Sequence, residues 1–169
     1  MMSQTSYSDD FSGELDETIW ISQQGHNHSI EDGQLKISVN KKEETEKFRI
    51  SFEDSPLNID DNPVMNFRIR ANKAIKLRFD FNLAGVVYTQ RISVPKSDLM
   101  VPYSVDLMGA GLDYDLTNLK FIDVYVNENA VSYSGALYVD DFVLGDGAVM
   151  HANIGGIDPP VIYAGEESV

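Results

Sequence analysis

A chain of 169 residues with no cysteine can bury an ordinary hydrophobic core without disulfide or zinc-thiolate staples, which leaves out thiol chemistry. Its formal net charge of -14 disfavours nucleic acid and anionic membranes as partners, because both attract basic surfaces. Apolar residues make up 43%, as in a folded globular protein, yet no apolar run approaches the roughly 20 residues a membrane helix needs.

In chain order, Tyr7 to Trp20 (YSDDFSGELDETIW) predicts a short strand around Phe11, a turn at Gly13 and a core tryptophan at Trp20. Gly25 to Gly33 is polar and turn-rich, so His26 and His28 are expected in an exposed loop, with no further matched ligands to make them a metal pair. Gln34 to Val39 alternates, with Leu35, Ile37 and Val39 facing inward. Asn40 to Glu46 (NKKEETE) reads as a solvated hairpin loop. Glu46 to Phe52 alternates again, placing Phe48, Ile50 and Phe52 on one face and Lys47, Arg49 and Ser51 on the other.

Beyond a turn-rich stretch from Pro56 to Pro63, Met65 to Ala71 sends Met65, Phe67 and Ile69 inward, and Asn66, Arg68 and Arg70 outward. Ile75 to Leu83 gives the clearest period-two run. There Ile75, Leu77, Phe79, Phe81 and Leu83 face the core, and Lys76, Arg78, Asp80 and Asn82 face away. Ala84-Gly85 predicts a hairpin into Val86 to Val94, with Tyr88, Gln90 and Ile92 on one face and Val87, Thr89, Arg91 and Ser93 on the other. Tyr103 to Leu107, Lys120 to Asn127 and Gly135 to Leu144 complete about nine or ten strands. Within the last, Asp140 and Asp141 are adjacent, and strict alternation sends them to opposite faces.

Many short strands with regular turn signals and no crossover helices predict an all-β fold, a sandwich or barrel. Residues 1–6 are read as an unstructured lead-in, 7–146 as the β domain, and 147–169, rich in glycine and proline, as a tail or linker. The opening residues lack the basic and apolar regions of a signal peptide.

Three fragments in this order resemble a carbohydrate-binding module of the galactose-binding-like β-jelly-roll type, a group found beside catalytic domains in bacterial polysaccharide-degrading enzymes. They are DDFSG at Asp9 to Gly13 followed by Trp20, EDGQLKISV at Glu31 to Val39, and LTNLKFIDVYVNENAVSYSGALYVDDFVLG at Leu116 to Gly145. The opening is also similar to the start of concanavalin-like glucanase and lectin domains. The jelly-roll resemblance implies a polysaccharide or oligosaccharide ligand, a linked catalytic domain, and a secreted or cell-surface location. It also implies a structural calcium held by Asp10, Asp32 and Asp140, positions whose hard oxygen donors suit that ion. A serine, Ser12, stands where relatives often carry a glutamate.

For a sugar ligand, aromatic rings offer stacking faces and planar polar groups bind hydroxyls. Tyr125 fits best, because Ile122, Val124 and Val126 claim the core while Asp123, Tyr125 and Asn127 face the other way. Arg49, Arg78 and Arg91 also occupy outward strand positions, with Asp80 and Asn82 as polar companions. Cross-strand pairing of these arginines with Asp and Glu on a solvated face is the open alternative. Tyr88 and Trp20 are further stacking candidates.

Catalysis has no support in the residues. The sequence lacks a Gly-x-Ser-x-Gly elbow and a phosphate loop. Its paired carboxylates, Asp60 with Asp61, Asp113 with Asp115 and Glu166 with Glu167, fall in turns or the tail rather than across a cleft. The expectation is therefore a non-catalytic binding module, with a structural or adhesion domain of a surface protein as the alternative and a concanavalin-type enzyme as a third reading.

Overall fold

The computed structural model describes residues 4–146. It contains eleven strands: β1 (Tyr7–Asp9), β2 (Trp20–Ile21), β3 (His26–Glu31), β4 (Gln34–Lys41), β5 (Phe48–Ser51), β6 (Val64–Ala71), β7 (Ile75–Leu83), β8 (Val86–Val94), β9 (Val101–Asp106), β10 (Leu119–Val126) and β11 (Tyr133–Leu144). One short 3-10 helix, Met108–Leu112, follows β9. The first sheet runs β3-β4-β11-β6-β9, and β1 pairs with the C-terminal part of β11. The second runs β2-β5-β10-β7-β8. Every pairing between named strands is antiparallel.

The period-two pattern explains how the sheets stack. Leu35, Ile37 and Val39 of β4, Phe67 and Ile69 of β6 and Leu137 and Val139 of β11 face Phe48, Ile50, Leu77, Phe79, Ile122 and Val124 of the second sheet in one buried cluster. Trp20 closes one end, 2% exposed, with its ring edge-to-face against Phe11 and Phe142. Its indole N–H donates to Tyr7 Oη at 2.9 Å, so the buried donor is satisfied. The all-β sandwich expected from the sequence is thus the fold observed.

Several local expectations are corrected. His26 and His28 are not in an exposed loop. They lie on the inward face of β3, where His26 is 5% exposed and both rings pack on Phe48. An edge strand can bury a neutral imidazole as it would an aromatic ring. The Asn40 to Glu46 stretch is only partly solvated: Lys41 is 1% and Glu46 7% exposed. Lys41 Nζ donates to the carbonyls of Val126 and Asn127 at 3.2 and 2.9 Å, and Glu46 Oε1 accepts the Lys42 N–H at 2.7 Å. Both charges are buried because backbone groups replace water around them.

Asn66, expected to face out, is 5% exposed and hydrogen-bonds Ser104 of β9. The strand expected around Phe11 is instead β1. Phe11 itself takes a left-handed turn at φ 56° that inserts its ring into the core. Gln4 already bridges Leu57. The tail 147–169, with His151 and the Glu166 and Glu167 pair, lies outside the described residues.

Candidate functional site

The solvent-facing side of the second sheet gathers most of the sugar-binding candidates. Register places Asp123 of β10 between Arg49 of β5 and Asp80 of β7, and it places Tyr125 beside Arg78. On the far side Arg78 faces Arg91, Asp80 faces Thr89 and Asn82 faces Val87 of β8. Alternation gives all of these residues one face.

Their charges are matched within the face. Arg49 donates to both Asp123 oxygens, Nε at 2.7 Å and Nη2 at 3.2 Å, and Lys47 Nζ lies 3.4 Å from the same carboxylate. Arg78 grips Asp80 through Nε at 2.9 Å and Nη2 at 2.7 Å, and Thr89 Oγ1 adds a third bond at 2.8 Å. Glu128 receives Arg78 Nη1 at 3.2 Å and Arg91 Nε at 2.6 Å. These fork contacts hold the Arg49 and Arg78 guanidiniums above their ordinary pKa, Asp123 being the main cause for one and Asp80 for the other. The Arg91 bond holds Glu128 below the usual carboxylate range.

Two aromatic rings sit in this lattice. The Arg78 guanidinium lies 4.5 Å from the Tyr125 ring centroid, and Lys47 Nζ lies 5.6 Å from it. Arg49 lies 3.7 Å from the centroid of Phe121. The face is therefore a row of cation-backed aromatics and fixed hydrogen-bonding heads rather than a bare aromatic shelf. Pairing of the arginines with Asp and Glu, the alternative left open by the sequence, is what the structure displays, across strands for Arg49 with Asp123, along one strand for Arg78 with Asp80, and through the loop residue Glu128 for Arg78 and Arg91. Sugar binding by the remaining edges of these groups is compatible with it.

Asn82 is on this face, but its Oδ1 accepts the Gly85 N–H at 2.9 Å and so caps the β7–β8 hairpin. Tyr88 is not brought to this face. It is the register partner of core residue Phe81, is half-buried, and packs edge-to-face on Tyr114 at 5.0 Å. Phe121, Lys47, Thr89 and Glu128 complete the site. Phe121 shares parity with Asp123 and Tyr125 and was legible from alternation, whereas Glu128 comes from a loop that carries no periodic signal.

The three expected calcium ligands behave differently from one another. Asp32 sits with Gly33 at the tip of the β3–β4 turn, at φ 54° and 72°, and is exposed. Asp10 Oδ1 accepts the Ser12 N–H at 3.0 Å and Oγ–H at 2.7 Å, bonds that hold its carboxyl below the ordinary range. Asp140 is pushed above that range, first by burial and further by the neighbouring charges of Asp141 and Asp10. Among the described residues, no three His, Cys, Asp or Glu side chains form a group that could hold a metal ion. Asp10 lies near enough to Asp140 for its charge to raise that carboxyl's pKa, and Asp32 does not join the two in a group of three.

Nor do Asp140 and Asp141 take opposite, independent faces. A register shift between Asp140 and Val143 and a left-handed Asp141, φ 48°, interrupt the alternation. Arg68, the partner of Asp140 across β6, carries its ion pair at 3.4 Å to Asp141.

No protein-family model matches the chain, and no curated protein matches it. Solved structures do. An exo-β-agarase superposes with a TM-score of 0.66 at 16% identity, over 83% of this chain and 25% of that one. A lysine-to-alanine variant of a family 29 carbohydrate-binding module superposes with a TM-score of 0.58 at 15% identity, over 83% of this chain and 91% of the module. An aspartate-to-alanine variant of that module, complexed with mannohexaose, gives 0.59 at 12% identity over 85% and 92%. The chain thus spans about a quarter of the agarase and nearly all of the module. At such identities the likeness is one of fold: the chain is a β-sandwich jelly roll of the kind found in carbohydrate-binding modules.

Proposed function

We propose that this chain is a non-catalytic carbohydrate-binding module. It holds a neutral oligosaccharide across the outer face of the second sheet and brings a linked enzyme or surface protein to a polysaccharide. The observation that carries the reading is the transverse row of Lys47, Tyr125, Arg78 and Arg91, with Asp123 and Asp80 beside it, on the fold of a glycan-binding module. Fixed guanidinium and carboxylate heads recognise adjacent hydroxyls without first paying to be ordered. Because their charges cancel within the face, a neutral ligand suits them better than an ionic one. The match to one quarter of an agarase chain supports a module that works beside another domain, raising local enzyme concentration at the substrate.

The completeness of the same ion-pair lattice favours a second reading, a structural or adhesion domain whose face is merely well paired. Affinity electrophoresis of the 169-residue chain against agarose, glucomannan, mannan and cellulose derivatives separates the two. Retardation by at least one neutral polymer is expected, and its absence with every polymer leaves the structural reading. Release of reducing sugar from the same panel would restore an enzymatic one.

A structural calcium remains part of the proposal, in a reduced form. Asp140 and Asp10 would supply carboxylate oxygens, and backbone carbonyls and water would complete the roughly 6 to 8 ligands the ion takes.

A further inference from the structure

The opposite face of the sandwich carries a second arrangement of the same parts with a different charge balance. On the outer side of the first sheet, Tyr138 of β11 lies between Lys36 of β4 and Arg70 of β6. The Arg70 guanidinium is 3.9 Å from the Tyr138 ring centroid, and Lys36 Nζ is 5.8 Å from it. Tyr125 and its two cations repeat this pattern on the second sheet, but there each arginine is spent on a carboxylate. Here Lys36 meets Glu31 only at 3.5 Å, and Arg68 meets Asp141 at 3.4 Å. Arg70 has neither a carboxylate nor any other hydrogen-bond acceptor among the described residues.

In a protein of net charge -14, an arginine held over a ring at 3.9 Å with its guanidinium donors unused is a fork without a partner. Two residues on from it, Asn72 Oδ1 accepts the Ala136 N–H at 3.1 Å. One row along the strands, Asn27, Ser38 and Ala136 are register partners with short side chains. This row runs into a cleft of about 630 Å³ lined by Asn27, Ser38, Asn40 and Ser134 among others. The rows are about 7 Å apart, room for a sugar ring whose hydroxyls would meet the Asn and Ser side chains while its charged substituent reaches Arg70.

We propose that this face is a second saccharide site, selective for a uronate residue whose carboxylate is taken bidentately by Arg70, which Tyr138 positions and Lys36 supports. A planar carboxylate fits the guanidinium fork. The overall negative charge opposes indiscriminate polyanion binding, so retention by an acidic polymer must arise from a local site.

Affinity electrophoresis of the whole chain in chelator tests this, with polygalacturonate, a neutral glucomannan and a sulfated galactan as probes. Polygalacturonate is expected to retard the wild type. Arg70→Ala should weaken that binding about tenfold or more, the fold-change of losing a charged hydrogen-bonded contact, and Arg70→Lys should restore little of it. Tyr125→Ala should leave it unchanged, whereas neutral-polymer binding should follow Tyr125 and ignore Arg70. The two sites therefore fail separately. Absence of retardation by polygalacturonate, indifference to Arg70→Ala, or retention by the sulfated galactan in its place each overturns the proposal. Should Arg70→Ala not fold, titration of the wild type with galacturonate oligomers by NMR decides: shifts at Ser38 and Tyr138 are required, and shifts confined to the Tyr125 face reject the site.

Discussion

Asp80 and Asp123 stand directly opposite each other on β7 and β10, 8% and 7% exposed, and each is gripped by its own arginine. Two like charges in cross-strand register destabilise a sheet. Here Arg49 of the flanking strand β5 and Arg78, two residues before Asp80 on β7, convert the repulsion into a lattice, so each guanidinium lowers the cost of holding the two carboxylates face to face.

Removing one clamp is therefore costly. Arg49→Ala is expected to lower stability by about 2 kcal/mol, because it leaves Asp123 mostly buried without its fork. The paired apolar replacement Arg49→Met with Asp123→Leu should cost less than the single change, since it removes the unmatched charge as well. Urea unfolding of the three proteins checks this, and a double variant less stable than Arg49→Ala refutes it.

On the binding face, Tyr125→Ala should abolish retardation by neutral glycans while moving the melting temperature by only a few degrees, because the ring is only half-buried. Arg91→Ala should weaken binding less. That side chain is exposed at the rim and shares Glu128 with Arg78. Glycan binding that survives Tyr125→Ala would remove this face as the site.

Acid should loosen the β3 edge. Burial pushes His28 down to about 4 and lowers His26 in the same direction. The folded state thus binds fewer protons than the unfolded chain, whose imidazoles titrate near 6.5. The stabilisation is full above about pH 6.5 and is lost as pH falls through that value toward 4, by roughly 2–3 kcal/mol for His28. Melting temperatures across this range should fall with acid, and His28→Phe should reduce the slope. An unchanged slope places the titration elsewhere.

The reduced calcium proposal has its own signature. Chelation should lower the melting temperature of the wild type and leave Asp140→Asn unaffected. In chelator Asp140→Asn should be at least as stable as the wild type, because burial and neighbouring Asp141 and Asp10 already disfavour the Asp140 carboxylate. Calorimetry with and without calcium reads both effects. A wild-type transition indifferent to chelation removes the ion.

Lys41→Met is expected to cost about 1–3 kcal/mol, since it leaves the Val126 and Asn127 carbonyls without their buried donor. Thermal unfolding measures it. Wild-type stability in this variant would mean that water replaces the ammonium.

Period two, with no competing helical pattern, marked β4 to β8, β10 and β11 and most of their inward faces and so the all-β class, while β3, which carries polar residues and no clean alternation, and the choice of sandwich over barrel did not follow from periodicity. The outward parity of Arg49, Arg78, Asp80, Asp123 and Tyr125 follows from the same local rule, because a side chain's face is set by its position along its own strand. What surrounds each side chain depends on which strand lies beside it, and only the tertiary structure decided that. Register made Asp80 the neighbour of Asp123, and the loop residue Glu128 joined Arg78 to Arg91. A bulge at Asp140 cancelled the alternation that adjacent aspartates otherwise obey. Burial of Lys41, Glu46 and His26 likewise required partners distant in sequence or a core face on an edge strand. The two tyrosine rows differ for a partly local reason: Arg78 and Arg70 occupy equivalent outward positions, but Arg78 has Asp80 two residues on along its own strand and Glu128 brought up by the loop after β10, whereas Arg70 is paired with neither kind of carboxylate.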